Sequence, residues 1–411
     1  MSWKIAKLSE VCSKIGSGAT PKGGSTVYIE KGTALIRSQN VYNLSFDYNG
    51  LVYINDETAK KLNGVTIEEN DVLINITGDS VARTCIVPAE LLPARVNQHV
   101  AIVRPNGNVL NPYFLNYYLA SPYMQSYMLG LAVGKGASRN AMTKDMIANF
   151  EVPCPSIEVQ QNIVAILKSY DDLIENNQKQ IKLLEEAAQR LYKEWFVDLH
   201  FPGYEDVKIV DSVPEGWKRT SIGEYLTIRS GYAFKSAWWQ NIGYPVVKIK
   251  DIVNNTIDIS GLDYVAPEHT DKSLEFRLSK GDVVIAMTGA TIGKIGLIPD
   301  VENLYTNQRV GKVFPNKELT NPTPFVFCFY AQKSVLEQIV AISSSSSAQP
   351  NISGGQLESF EITANTEIIN EFGRRCQPYF DKINCLYKQI CKLEQARDRL
   401  LPKLMSGELE V

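Results

Sequence analysis

Residues 163–195 read IVAILKSYDDLIENNQKQIKLLEEAAQRLYKEW, and their apolar side chains recur at alternating steps of four and three residues. These steps form the heptad spacing by which one helix packs against another along a narrow seam. The pattern therefore predicts a helix of about 35 residues, roughly 50 Å long. The seam positions in this stretch are Ile163, Leu167, Tyr170, Ile174, Asn177, Ile181, Leu184, Ala188, Leu191 and Trp195.

The same spacing returns near the C-terminus, where it predicts a second long helix. Each helix would expose its seam if it stood alone, so we predict that the two pair in antiparallel orientation. Asn177 is expected to lower stability and fix the register, although an alternative interpretation places it toward solvent. Proline cannot donate the helical hydrogen bond, so we predict that the second helix kinks or ends at Pro402. The second seam comprises Ile369, Phe372, Cys376, Tyr379, Ile383, Leu386, Ile390, Leu393, Arg397, Leu400 and Leu404.

Short landmarks also recur at a steady offset of roughly 210 residues, which indicates a duplicated domain rather than a solenoid. Chance similarity would not keep one offset over so many positions. The matched landmarks are Trp3-Lys4 and Trp217-Lys218, Asp71 to Ile74 and Asp282 to Ile285, Thr77-Gly78 and Thr288-Gly289, Asn97-Gln98 and Asn307-Gln308, and Phe150-Glu151 and Phe360-Glu361.

Each half reads as a mixed region of short strands and helices followed by a long helix. The expected fold class is α+β, with two pseudo-symmetric mixed domains separated by two long helices that form an antiparallel coiled coil. This arrangement predicts a rod with a globular domain at each end, related by a pseudo-two-fold axis. The predicted segments are a first domain at 1–156, a first helix at 157–199, a second domain at 200–365 and a second helix at 366–411.

Composition narrows the class of protein. The chain has 411 residues, enough for two domains, with 44% hydrophobic and 21% charged residues, as in soluble globular proteins. A formal net charge of −3 excludes a polycation but not a local basic surface. We expect a cytoplasmic protein without membrane contact, because neither a signal peptide nor an apolar run of membrane-spanning length is evident. The seven cysteines and three histidines lack metal-ligand spacing, so we expect reduced thiols and no metal site.

Motifs of catalysis are incomplete. The segment from Gly289 to Lys294 resembles a phosphate-binding loop but is one residue short, with Ile295 where a serine or threonine would hold magnesium. Residues 111–114, Asn-Pro-Tyr-Phe, resemble the Asn-Pro-Pro-Tyr of amino-methyltransferases but lack one proline. Two similar domains held apart by the long helices suit the recognition of two sites on one binding partner. We therefore predict a non-catalytic chain.

Polar, glycine-rich turns follow the predicted strands and supply candidate DNA contacts. Hydroxyls, backbone amides, lysine and arginine suit phosphates, whereas arginine and lysine suit guanine and asparagine and glutamine suit adenine. The candidates in the first half are Thr20, Lys22, Arg37, Gln39, Thr77, Ser80, Asn97, Gln98, Lys135, Ser138 and Arg139. The candidates in the second half are Tyr232, Lys235, Lys248, Lys250, Thr288, Thr291, Lys294, Gln308 and Arg309.

Structural alternatives stay open for these residues. Gln98 and Gln308 could instead be caps at equivalent strand starts, and the pair at 238–239, Trp-Trp, could be a core anchor. Any single lysine could be a solvated surface charge. The serine run at 343–347 could order on a phosphate backbone or be a plain flexible loop.

The layout resembles the specificity subunit of Type I restriction-modification systems over essentially the whole chain. The residues that carry the resemblance are the two Trp-Lys starts, Ser-Gly-Ala-Thr-Pro at 17–21, Asn-Gln at 97 and 307, the Pro-Cys-Pro run at 153–155 before the first helix, and Leu-Met-Ser-Gly-Glu-Leu at 404–409. The second half departs from the pattern, because it lacks Thr-Pro after its Ser-Gly and lacks Pro-x-Pro before its helix.

The resemblance implies a DNA-recognition subunit that is not catalytic by itself. Each domain would read one half of a split site in double-stranded DNA, and the helices would set the spacer and dock two methyltransferase (modification) subunits. Those partners would bind S-adenosylmethionine and methylate adenine, and restriction (translocase and nuclease) subunits would use ATP and magnesium. No cofactor is expected in this chain. The alternative is a non-catalytic coiled-coil adaptor whose two domains bind protein or glycan partners.

Overall fold

The computed structural model describes residues 3–133, 141–344 and 350–411. The chain forms two compact units. Unit 1 contains Met1–Leu173 and Leu393–Val411, and unit 2 contains Ile174–Lys392. The domain boundaries drawn from the sequence at 156, 199 and 365 stay predictions.

Unit 1 is a mixed α+β structure. Its strands are β1 Ile5–Lys7, β2 Cys12–Ser17, β3 Thr33–Ile36, β4 Val41–Tyr42, β5 Ser45–Phe46, β6 Val52–Ile54, β7 Thr66–Ile67, β8 Val72–Asn75, β9 Thr84–Ile86, β10 Ala94–Val96, β11 Val100–Pro105 and β12 Glu151–Pro153. The helices that begin in unit 1 are α1 Leu8–Val11, α2 Asp56–Lys61, α3 Pro112–Ala120, α4 Pro122–Ala132, α5 Lys144–Ala148 and α6 Ile157–Tyr192.

Two four-stranded sheets form the centre of unit 1, in the orders β2-β11-β8-β9 and β6-β3-β10-β7. Strand β8 is buried along its whole length, and its register pairs Leu73 with Ile102 of β11. Asp71, which precedes β8, is fully buried and accepts hydrogen bonds from Arg104 Nε at 2.7 Å and Nη2 at 2.8 Å. A buried carboxylate needs such a partner, so this ion pair ties the start of β8 to β11.

Unit 2 repeats this plan. Its strands are β13 Ile209–Val210, β14 Val213–Pro214, β15 Lys218–Ser221, β16 Leu226–Ser230, β17 Trp239–Gln240, β18 Tyr244–Val247, β19 Ile252–Val253, β20 Thr256–Ile257, β21 Asp263–Val265, β22 Arg277–Leu278, β23 Val283–Ala286, β24 Ile295–Leu297, β25 Leu304–Thr306, β26 Val310–Pro315 and β27 Glu361–Ala364. Its further helices are α7 Thr323–Tyr330, α8 Lys333–Ser344, α9 Gly354–Glu358 and α10 Thr366–Ser406. Its larger sheets have the orders β16-β26-β23-β24-β20-β19 and β17-β21-β18-β25-β22. The predicted α+β class is confirmed.

The two long helices, α6 and α10, pack against each other within each unit. In unit 1, Ile163 and Leu167 near the start of α6 share a core with Leu401 and Leu404 near the end of α10. One turn further along the pair, Arg397 Nη1 donates to Asp171 Oδ1 at 2.7 Å. The first part of α6 therefore lies against the last part of α10, in antiparallel orientation.

Unit 2 shows the same orientation with different side chains. Asn177 Nδ2 donates to Gln389 Oε1 at 3.4 Å, and the ring of Trp195 lies 5.7 Å from that of Phe372. Residue numbers again rise along α6 as they fall along α10. Asn177 is only 7% exposed, so the alternative that placed it toward solvent is wrong.

The seam positions of both helices are buried or half-buried. In unit 1 these are Ile163, Leu167, Tyr170, Leu393, Arg397, Leu400 and Leu404. In unit 2 they are Ile174, Asn177, Ile181, Leu184, Ala188, Leu191, Trp195, Ile369, Phe372, Cys376, Tyr379, Ile383, Leu386 and Ile390.

One feature of the long helices differs from the sequence expectation. Helix α10 does not end at Pro402 but continues to Ser406, and it also contains Pro378. Each proline removes one helical hydrogen bond, but most helical stability in proteins comes from tertiary packing. Buried side chains of the same helix supply that packing, namely Phe380 two residues after Pro378 and Leu401 directly before Pro402.

Among the described residues, no single helix combines the length and the apolar character needed to cross a bilayer. Helices α7 and α8, which are bent by 62° at their junction, meet that test only as a pair.

Candidate nucleic-acid interface

Four turns of unit 1 meet at one edge of its sheets. Strands β2 and β8 both run antiparallel to β11, so their C-terminal ends lie beside the start of β11. Strand β10 runs parallel to β3 and leads directly into β11 through the turn at 97–99. The turns that follow β2, β3, β8 and β10 are therefore neighbours. We call these turns, residues 18–22, 37–40, 76–83 and 97–99, the strand-end edge of unit 1.

Backbone hydrogen bonds hold these turns together. Gly18 allows the turn after β2 to lie against the turn after β10, because a Cβ atom at this position would lie 2.2 Å from the carbonyl oxygen of Asn97. The bonds of the frame run from Gly18 N to Val100 O (2.8 Å), Ala19 N to Val96 O (3.0 Å), Asn97 N to Ile36 O (2.9 Å) and Met142 N to Ile76 O (2.8 Å).

Unit 2 contains the same frame at equivalent residues. Gly231 takes the place of Gly18, and a Cβ atom there would lie 2.4 Å from Thr306 Oγ1 and 2.5 Å from the carbonyl oxygen of Asn307. The bonds run from Gly231 N to Val310 O (2.9 Å), Tyr232 N to Thr306 O (3.0 Å), Asn307 N to Val247 O (3.0 Å) and Ile352 N to Met287 O (3.0 Å). We call residues 231–235, 248–251, 287–294 and 307–309 the strand-end edge of unit 2.

The frame aligns the candidate residues of the two halves pair by pair. The equivalent pairs are Lys22 and Lys235, Arg37 and Lys248, Gln39 and Lys250, Thr77 and Thr288, Ser80 and Thr291, Asn97 and Asn307, and Gln98 and Gln308. Thr20 and Tyr232 also lie in these turns. Lys135, Ser138 and Arg139 lie outside the described residues.

The turn at 97–99 holds a fixed imidazole at the unit 1 edge. Asn97 is buried, and its Oδ1 accepts from the backbone N of His99 at 3.1 Å. The Nδ1 atom of His99 lies 2.6 Å from Thr77 Oγ1. Gln98 is exposed, with its Nε2 atom 3.5 Å from Nε2 of His99. The capping role thus falls to Asn97, and the Gln98 side chain lies at the surface.

Some candidate side chains already have intramolecular partners. In unit 1, Arg37 Nη2 donates to the Gly50 carbonyl oxygen at 2.5 Å, and Gln39 Nε2 donates to the same oxygen at 3.3 Å. The Arg37 guanidinium also lies 5.6 Å from the ring centroid of Tyr28. These contacts leave fewer N–H groups of Arg37 and Gln39 free to bind a ligand.

The unit 2 edge has a comparable arrangement around one carboxylate. Lys248 Nζ and Lys250 Nζ lie 2.9 and 3.1 Å from Asp263 Oδ2. The hydrogen bond from Lys248 holds the pKa of Asp263 below its ordinary value. Lys248 Nζ also lies 3.6 Å from the ring centroid of Trp239. Much of the charge of both lysines is therefore balanced within the unit.

Other basic side chains of unit 2 are exposed at its edge, namely Lys235, Lys294 and Arg309. Lys235 Nζ lies 5.2 Å from the ring centroid of Trp238, which stacks on His269 with ring centroids 4.5 Å apart. The alternative that made the tryptophan pair a structural anchor agrees with this packing.

Buried polar atoms without a hydrogen-bond partner concentrate near the two edges. Within the described part of the chain, five of the six such side-chain atoms lie in or directly before the edge turns, the exception being Asn384 Oδ1. Native proteins leave few such atoms unpaired, so a cluster of them indicates unused hydrogen-bonding capacity. The five atoms are Arg37 Nε, Asn75 Oδ1, Thr288 Oγ1, Thr291 Oγ1 and Thr306 Oγ1.

Two basic residues at the edges, Arg83 and His99, were not among the sequence candidates. Arg83 aligns with Lys294 through equivalent backbone bonds, from Asn75 N to Arg83 O and from Ala286 N to Lys294 O. His99 aligns with Arg309 in the same way, because both follow an Asn-Gln pair. Applying the repeat offset to every basic candidate would have identified both.

Comparisons with known proteins agree with this two-unit plan. A family model described as a Type I restriction modification DNA specificity domain matches residues 1–186 and 214–364. The MjaIX specificity subunit of a Type I restriction enzyme from Methanocaldococcus jannaschii is 26% identical over 421 residues, covering 100% of this chain and 94% of the relative. The HindI specificity subunit from Haemophilus influenzae is 22% identical, covering 84% and 87% of the two chains.

A solved structure supports the fold. The crystal structure of the S subunit of a Type-I restriction-modification system from M. genitalium superposes with a TM-score of 0.55 at 16% identity, over 98% of this chain and 96% of that chain. Fold and repeated edges together define a DNA-recognition component built from two similar units. The chain belongs to the Type I restriction-modification DNA specificity family. The comparisons do not support the alternative of an adaptor for protein or glycan partners.

Proposed function

We propose that each strand-end edge binds one half of a split site in double-stranded DNA. The observation that carries this proposal is the repeated backbone frame, which presents different side chains from the same positions in the two units. The exposed donors Lys22, Lys235, Lys294 and Arg309 suit phosphates and the guanine edge, and the exposed amide of Gln98 suits adenine.

The chain itself acts by recognition and not by catalysis. The Thr77–His99 contact is short enough for a catalytic pair, but the equivalent residues of unit 2 are Thr288 and Arg309, which offer no imidazole. We therefore assign His99 a binding role. In this proposal S-adenosylmethionine, ATP and magnesium belong to partner subunits.

The long helices dock two methyltransferase subunits and set the spacer between the half-sites, and restriction subunits join that assembly. Helix α6 supports the docking role because it exposes apolar side chains outside its seam, with Leu173 51% and Leu183 64% exposed. Its 36 residues correspond to about 54 Å, longer than one turn of duplex DNA at roughly 34 Å.

DNA affinity under varied salt tests the proposal. We expect the double variant Lys235→Ala/Lys294→Ala, which removes two exposed cations of the unit 2 edge, to bind a duplex that carries the target site at least tenfold more weakly in complex with the methyltransferase. The slope of log affinity against log salt should fall by about two, because two phosphate-neutralising cations are removed.

A matched control removes the same charge elsewhere in unit 2. Arg219 and Lys333 have side chains that are 71% and 90% exposed and lie outside the edge. Arg219→Ala/Lys333→Ala should retain both affinity and slope. If the edge variant behaved like this control, the edge would not be the DNA-binding surface.

A further inference from the structure

The two edges combine identical and different side chains at equivalent positions. The threonine after β8 or β23 and the Asn-Gln pair after β10 or β25 are shared, namely Thr77 with Thr288, Asn97 with Asn307 and Gln98 with Gln308. The next residue differs, being His99 in unit 1 and Arg309 in unit 2. Within the turns at 97–99 and 307–309 this is the one residue that differs, and a change on a shared frame is where two similar readers would acquire different preferences.

His99 is held in place on both sides. Its Nδ1 atom contacts Thr77 Oγ1 at 2.6 Å, and its backbone N donates to Asn97 Oδ1. Thr77 is itself fixed by an antiparallel bridge to Ala141. A preorganised ring loses little conformational entropy on binding, and its Nε2 atom offers a single hydrogen bond.

Arg309 has a different environment at the same position. It is exposed, and the hydroxyl of Thr288, which corresponds to the one that holds His99, has no partner among the residues that the structure describes. A guanidinium has five donors in a planar fork, which matches the O6 and N7 acceptors of guanine in the major groove.

We infer that the residue after the Asn-Gln pair is the specificity-determining residue of each unit, with Arg309 selecting a guanine in the half-site of unit 2 and His99 giving unit 1 a different preference. This inference rests on the proposed function, and it names one position as the origin of the asymmetry between the half-sites. The shared threonine and Asn-Gln pair then serve as the platform that positions this residue.

Exchange of the two side chains tests the inference. The variants Arg309→His and His99→Arg are assembled with the methyltransferase partner, and adenine methylation is mapped over a library of random duplexes. Arg309→His should lower the guanine preference at one position of one half-site by roughly tenfold. His99→Arg should raise guanine at one position of the other half-site. In each case the opposite half-site keeps its preferences.

Two further variants distinguish a direct guanine contact by the guanidinium from an effect of positive charge alone. Arg309→Lys keeps the charge but loses the fork, so guanine preference should fall while overall affinity stays close to wild type. Arg219→His changes an exposed arginine outside the edge and should alter neither half-site. Thermal melting of each variant confirms folding.

The outcomes distinguish the inference from the proposed function. If the wild-type assembly selects no sequence, the proposed function fails. If it selects a split site but the exchange variants keep the preferences of both half-sites, the specificity assignment is overturned and the proposed function stands. A uniform loss of affinity over all sequences would identify a phosphate contact and would also overturn the assignment.

Discussion

Glu185 on helix α6 makes the stability of unit 2 depend on pH. Its Oε2 atom accepts a hydrogen bond from Asn255 Nδ2 at 2.9 Å, and Tyr387 of α10 donates to the carbonyl oxygen of neighbouring Asn254 at 3.0 Å. Burial raises the pKa of Glu185 from 4.5 to about 7, although the Asn255 hydrogen bond opposes the rise. The carboxylate is therefore held in a place that favours its neutral form.

The sign of the effect follows from this raised pKa. Below pH 4.5 the group is protonated in both folded and unfolded chains, and it imposes no cost. As pH rises from 4.5 to 7 the unfolded chain loses the proton first, so unit 2 loses stability. Above pH 7 the full loss of folding stability applies. It amounts to about 1.4 kcal/mol for each unit between the unfolded and folded pKa values of Glu185, or roughly 3 kcal/mol in all.

Substitution of Glu185 by glutamine removes the charge and keeps the size and the acceptor oxygen. We expect Glu185→Gln to stabilise unit 2 at pH 8 by up to about 3 kcal/mol, less the cost of burying the new amide N–H group. At pH 5 most of the native Glu185 is already neutral, so the gain should be about 1 kcal/mol or less.

Urea unfolding followed by tryptophan fluorescence measures this difference, because four of the five tryptophans belong to unit 2. Glu186→Gln is the matched control, since Glu186 is the next residue of the helix, its side chain is 43% exposed, and its contact is an ion pair with Arg190 at 3.8 Å. The control should change stability by less than about 1 kcal/mol at either pH. An equal gain from Glu185→Gln at pH 5 and pH 8, or a loss at pH 8, would refute the reasoning.

Two further predictions concern unit 1. Gly18→Ala places a Cβ atom 2.2 Å from the backbone carbonyl oxygen of Asn97. We expect it to destabilise unit 1 by at least about 2 kcal/mol, measured by thermal melting. The control Gly16→Ala meets no atom within 4 Å and should be nearly neutral. Asp71→Asn removes the buried carboxylate beside Arg104 and leaves Glu68 as its ion-pair partner, so it should cost about 3 kcal/mol in urea unfolding. The equivalent change Asp282→Asn, at a side chain that is 27% exposed, should cost clearly less, and equal losses would show that burial does not set the energy.

Much of the local structure was predictable because its causes are local. Heptad spacing predicted both long helices, and an asparagine directly before a proline is a local signal for the start of α3, where Asn111 Oδ1 accepts from the backbone N of Tyr113. The β-branched run that begins at Asp71 forms β8 at Val72–Asn75. The predicted end of the helix at Pro402 was wrong, because packing of the neighbouring buried side chains outweighs the loss of one helical hydrogen bond. A kink at Pro402 stays a prediction.

The candidate interface was predictable only in outline. The sequence identified the polar turns but not that Asp263 pairs with Lys248 and Lys250, since this contact requires β21 to lie beside β18. His99 was likewise missed, because its value depends on a hydroxyl from another turn, that of Thr77. Both facts follow from strand order, which a linear pattern does not encode.

The sequence by itself determined the duplication, the two long helices, the α+β class and the polar turns, because periodicity and repeat offset are properties of the chain. Only the tertiary structure decided which turns meet at one edge, which cations are already paired, and that Gly18 and Gly231 occupy the same place in two matching frames. The physical reason is that antiparallel β2, β8 and β11 bring distant residues together, and such proximity arises only when the sheet has formed.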